Sequence, residues 1–300
     1  MATLAAIDRP QNARLGIVLM LSGIAMFAIG EAIVKTLARD HAIAQIVWAR
    51  YTFHAVVFLA VFARAGLVRQ VRTQRPWLQL ARSVLLLIAT GCFFVALRYL
   101  PLADAVGVNL VSPLLVTAFS IPILGERVGV RRWAAIVVGF AGALTIIRPG
   151  FGTMHWAVFM PLGTAFSYAL YQILTRIASR TEDARTSLFW TSAVGVLGTS
   201  AVVPLFWTAP SAFGWALMVA TGIAFGLGHY LLILGLERAP ASVLSPFIYT
   251  QIVWSTALGI VVFGQYPDGF TIAGAAIVIA SGLYAWRRQF AGRAVAPSAA

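Results

Sequence analysis

Of the chain's 300 residues, 60% are hydrophobic and only 10% are charged, where a soluble domain carries roughly a quarter charged. An aqueous fold has too little interior to hide that much apolar sequence, and the same composition excludes disorder. The net charge of +13 comes almost wholly from arginines set in short gaps between apolar runs, which is the pattern of membrane topology rather than of a nucleic-acid surface.

A membrane-spanning helix needs about 20 apolar residues. That ruler predicts ten spans, near 15–37, 42–63, 77–97, 101–124, 132–148, 155–177, 186–207, 211–234, 241–263 and 271–287. The runs are too long and too uniform for barrel strands. The first 14 residues are mixed and no small-residue cleavage site follows, so the first run is expected to stay as a helix rather than leave as a signal. With the N-terminus placed inside, sixteen basic residues fall in the inner segments and four in the outer ones, so both tails, 1–14 and 288–300, are expected on the cytoplasmic side. The connections are short, and whatever the chain does must happen within the bundle.

Taken along the chain, the first span holds an intramembrane acid, Glu31, a functional candidate because a buried charge in lipid is costly. Arg50 of the second span lies at similar depth, and the two are predicted to pair, with Lys35 one turn above as a competitor. Arg82 in the third is expected to snorkel to the inner surface. The fourth span presents Asn109, Ser112 and Ser120 on one face; the sixth Tyr168, Tyr171, Gln172 and Thr175; the eighth His229 and Tyr230. In the ninth, Ser245, Tyr249 and Thr256 form one face and Gln251, Trp254 and Ser255 another. Such stripes line pockets or form packing seams. Ser112, Ser120, Ser255 and Thr256 read as hydroxyls bonded to their own helix, and His229 as a packed, hydrogen-bonded residue before a proton carrier. Asp104 and Asp268 read as caps at outer helix starts. Pro113 and Pro246 each free a carbonyl in mid-span and are the hinge candidates. Trp77, Trp133, Trp156, Trp207 and Trp286 read as interface anchors, and Gly222 with Gly226 as a close-packing pair.

The second half echoes the first. A shift of 139 lays Pro101 on Pro240, Gly125 on Gly264 and Glu126 on Gln265. Each unit, 15–148 and 155–287, then holds five spans, and an odd number forces the two to insert in opposite senses, as in secondary transporters whose site lies between the repeats. Ten spans in two units, a proline opening the fourth and Gly125-Glu126 closing it resemble the drug/metabolite transporter superfamily, its EamA-type branch, and within that the bacterial aromatic amino-acid exporters of the YddG type. The second repeat departs from the pattern at Gln265. The resemblance implies an all-α basket of ten helices around a central cavity and efflux from the cytoplasm across the bacterial inner membrane.

The expected substrates are amino acids, aromatic and other neutral ones, with the carboxylate near Arg50 and the ammonium near Glu31 or aromatic faces. A drug or quaternary-amine exporter of the same superfamily is the alternative, and a lipid-modifying membrane enzyme a more distant one. No nucleotide-binding loop, HExxH, DFG or GxSxG occurs in the sequence. The chain is accordingly expected to be no enzyme, to need no cofactor or metal, to bind no nucleic acid, and to work as a monomer with the lipid bilayer and a small molecule as its partners. Cys92, the single cysteine, excludes a disulfide framework.

Overall fold

The computed structural model describes residues 12–62, 71–126, 129–148 and 155–291. Every regular element among them is helical: α1 (Ala13–Leu37), α2 (Ile43–Phe62), α3 (Pro76–Tyr99), α4 (Leu102–Asn109), α5 (Ser112–Leu124), α6 (Val130–Ile147), α7 (Phe159–Ala178), α8 (Ala184–Val202), α9 (Ala212–Arg238), α10 (Ala241–Leu244), α11 (Gln251–Phe263) and α12 (Gly269–Ala291). Nine helical segments among the described residues are long and apolar enough to cross a bilayer, and Ile43–Leu59 of α2 is a shorter apolar helix. The tails beyond residues 12 and 291 lie outside the described residues, so the expectation for them stays open.

Two of the spans are broken. The fourth is α4 and α5, interrupted at Leu110–Val111. The ninth is α10, a 3-10 segment over Ser245–Thr250, then α11. Both hinge candidates sit at these interruptions: Pro113 in the first turn of α5 and Pro246 in the first turn of the 3-10 segment. Proline has no N–H to continue the ladder, so each break has a local cause. Both broken spans stop at a left-handed glycine, Gly125 at φ 70° and Gly264 at φ 65°, a conformation that costs glycine nothing.

Packing follows small residues. α1 lies along α9, α3 along α7, α2 along α9 and α8, and α6 along α12. A Cβ on Gly222 would overlap Phe53 and lie 2.9 Å from the His54 amide nitrogen, so this glycine is what lets α9 sit on the α2 backbone. Trp77, Trp133, Trp156 and Trp207 are exposed, as interface anchors should be.

The ends of the bundle are held by polar contacts. We call the end where α1 starts the near end and the end where it stops the far end. Arg82 does not snorkel: it is 1% exposed near the near end, donating to Gln79 Oε1 (2.9 Å), Ser187 O (2.8 Å), Thr175 Oγ1 (3.1 Å) and Tyr171 Oη (3.1 Å). Four acceptors supplied by α3, α7 and α8 replace the water it would otherwise have to reach. At the far end, Asp268 accepts from the Thr271 amide and so caps α12, and it pairs with Arg148. Asp104 is not a cap; it accepts from Thr271 Oγ1 at 2.7 Å.

Candidate functional site

A cavity of about 160 Å3 opens in the middle of the bundle, walled by α1, α2, α3, α7, α9 and the two broken spans. Its polar lining is Glu31, Arg50, Thr90, Asn109, Ser112 and Gln251, with Thr164, Tyr168, Gln172 and His229 alongside. Phe27, Phe93, Phe94 and Phe225 supply aromatic faces.

Arg50 and Glu31 share this cavity but do not pair. Arg50 Nη1 donates to Thr90 Oγ1 (2.8 Å), and its guanidinium lies over the rings of Phe225 (4.6 Å), Tyr51 (4.8 Å) and Phe94 (5.9 Å). Thr90 spends its own proton on Leu86 O (2.8 Å) and therefore accepts from both Arg50 and Tyr51 Oη (3.2 Å). A cation boxed by aromatic faces and one hydroxyl keeps a charge that no carboxylate among the described residues neutralises. Glu31 instead turns to the ninth span: Gln251 Nε2 donates to Oε1 at 2.6 Å and Ser255 Oγ to Oε2 at 3.1 Å. Depth along two helices was a poor guide to pairing, because the rotation of each helix decides which neighbour a side chain meets. Lys35 does not compete for Glu31 either. Its Nζ donates to Leu97 O (2.9 Å) and Leu100 O (2.6 Å) and tethers α1 to the last turn of α3.

Of the residues singled out from the sequence, Glu31, Arg50, Asn109, Tyr168, Gln172, His229 and Gln251 line the cavity. Tyr171 does not; its hydroxyl accepts from Arg82. Tyr249 is 8% exposed and points at α12, where its hydroxyl occupies the place a Cβ on Gly282 would need. Trp254 is 43% exposed on the outer face of α11. Tyr230 lines a smaller pocket with His54, Leu188 and His229. His229 bonds Phe225 O through Nδ1 (2.8 Å), its ring edge-on to Phe27 and stacked on His54 at 5.2 Å. Ser255, read as a backbone-bonded hydroxyl, is a ligand of Glu31, and Ser112 is a cavity residue. Ser120 does bond its own helix, at Thr117 O.

The four phenylalanines carry no sequence signal that separates them from ordinary lipid-facing or packing residues. Thr90 lies two turns beyond Ser83 on α3, a spacing that marks a shared polar face but not its partner. Among the described residues no cluster of His, Cys, Asp or Glu could hold a metal ion.

The model of the EamA-like transporter family matches this chain twice, over residues 14–148 and 155–285. The chain belongs to the EamA-like transporter family. Among curated members, the riboflavin transporter of Rhizobium johnstonii is 28% identical over 242 residues, 80% of each chain. The S-adenosylmethionine uptake transporter of Rickettsia prowazekii is 25% identical over 240 residues, 80% of this chain and 81% of its own. The pseudopaline exporter CntI of Pseudomonas aeruginosa is 28% identical over 270 residues, 88% and 93%. One solved protein structure superposes with a TM-score of 0.66 at 19% identity, covering 94% of this chain and 99% of that one, and shares the fold. As an EamA-like protein the chain is a multi-pass membrane transporter of small molecules, not an enzyme.

Proposed function

We propose that this EamA-like transporter exports small zwitterionic metabolites, amino acids with neutral or aromatic side chains foremost, across the bacterial inner membrane, with both termini in the cytoplasm. The observation that carries the reading is Arg50: a buried cation in the cavity wall, clamped by Thr90 and aromatic rings and paired with no carboxylate among the described residues. A ligand carboxylate would supply the missing counter-charge. The aromatic faces suit a flat or aliphatic side chain and the charge of an ammonium. Of the substrates named for relatives, S-adenosylmethionine is itself an amino-acid derivative.

Alternating access between two five-span units is the mechanism that fits. Two family matches of five spans each support it, and so does the way packing recurs between them. α1 on α9 is matched by α7 on α3, and α2 on α9 by α8 on α3, as an inverted repeat requires. The broken spans stand at corresponding places and give each unit its hinge.

Purified protein in liposomes should accumulate labelled phenylalanine or another neutral amino acid, with the Arg50→Leu variant inactive. Equal transport by that variant, or no amino-acid flux at all, would overturn the reading. The phenylalanine-lined wall also favours a larger flat ring system, and relatives carry the name riboflavin transporter. Riboflavin competing where amino acids do not would move the assignment to that substrate.

A further inference from the structure

Glu31 is engaged from within the bundle: Gln251 donates to one of its oxygens and Ser255 to the other, which ties α1 to α11. Elsewhere in the cavity wall three buried polar atoms have no hydrogen-bond partner among the described residues: Arg50 Nε, Asn109 Oδ1 and Ser112 Oγ. Buried polar groups are almost always satisfied, and one left without a partner is costly. Arg50 and Ser112 are 5% and 4% exposed, so bulk water does not reach them freely.

Two of the three sit at the break between α4 and α5, and the main chain adds acceptors there. Pro113 has no N–H to offer the Asn109 carbonyl. The Leu114 N–H bonds Val111 O at 2.9 Å and not Leu110 O, one turn back. Asn109 and Leu110, both in the cavity wall, thus have main-chain oxygens released from the helical ladder.

We propose that the α4–α5 break is the ammonium subsite, with Asn109 Oδ1, Ser112 Oγ and the released carbonyls of Asn109 and Leu110 accepting the three N–H donors of a primary amine. Arg50 takes the carboxylate across the cavity. Unpartnered side-chain oxygens gather at the break, and Arg50 supplies a cation in the same cavity wall. The proposal rests on the zwitterion reading and specifies its second half.

Equilibrium binding of labelled phenylalanine to the full-length protein tests it, with 3-phenylpropanoate, which lacks the amine, as the competing probe. Wild type should prefer phenylalanine. In Asn109→Ala and Ser112→Ala that preference should fall by about tenfold or more. Affinity for 3-phenylpropanoate should stay unchanged, which also shows that the variants are folded. Glu31→Gln should leave the preference intact. If the preference survives in both α4–α5 variants, or collapses in Glu31→Gln alone, the subsite is misplaced while the zwitterion reading stands. If wild type binds 3-phenylpropanoate as well as phenylalanine, no ammonium is recognised and the subsite is wrong. If it binds neither probe, the zwitterion reading falls as well.

Discussion

The fourth and ninth spans are both broken, yet the two breaks are used differently. In the ninth, Gln251 and Ser255 follow the 3-10 segment and spend their donors on Glu31 of α1. In the fourth, Asn109 and Ser112 flank the interruption and keep side-chain oxygens that nothing among the described residues satisfies. A shift of 139 lays Ser112 on Gln251. Both spans carry an interruption of the helix, and the residues beside it are an internal tie in one and unpartnered oxygens in the other.

The largest effect should come from the cation in the cavity wall. Arg50→Leu is expected to weaken binding of phenylalanine and of 3-phenylpropanoate together, by about 10–100-fold, the worth of a charge-assisted contact. Phenethylamine, which has no carboxylate, should bind as before. A loss confined to phenylalanine would break the division of labour between cation and acceptors.

Gln251→Leu tests the tie. It leaves Glu31 with Ser255 as its one remaining side-chain donor inside the bundle, at a cost of about 1–3 kcal/mol. Thermal unfolding of the detergent-solubilised variant should show the loss. Glu31→Leu combined with Gln251→Leu should recover part of it, because an apolar pair leaves no stranded carboxyl. Additive losses would mean that the two side chains do not depend on one another.

A gentler pair sharpens the contrast. Ser255→Ala should cost about 1 kcal/mol of stability, whereas Ser112→Ala should cost nothing or add slightly, since its hydroxyl has no partner to lose. Stability given up at the fourth span but not at the ninth is the mark of a residue kept for a ligand. Identical melting shifts in the two alanine variants would erase the distinction.

The smallest effect lies outside the spans. The hydrogen bond from Arg148, with the Thr271 amide, holds the Asp268 carboxyl below the usual carboxylate range. A carboxyl shifted down stabilises the fold above its ordinary titration near pH 4 and loses that contribution as pH falls through the lowered value. Asp268 is half exposed, so the contribution is under about 1 kcal/mol. Asp268→Asn should melt slightly below wild type at pH 7 and level with it near pH 2. A constant gap across that range would assign the effect to helix capping alone.

Much of this architecture was legible in the chain itself. Apolar run length fixes where helices cross, arginine spacing marks their ends, and Pro113 and Pro246 mark the breaks, whereas Pro122 stays inside α5. Seven of the eleven expected cavity residues do line the cavity: helical periodicity puts Tyr168 with Gln172 on one face. The partners were not legible. Glu31 and Arg50 are close in depth, but α1 turns its acid toward α11 while α2 turns its arginine toward Thr90. Arg82, which a hydropathy reading sends to the surface, stays buried because Gln79, Thr175, Tyr171 and Ser187 arrive from three helices. Spacing along one helix sets which side chains share a face. Which face meets which neighbour depends on helix rotation and crossing, a balance of many small packing contacts spread over the whole bundle, and that only the tertiary structure decided.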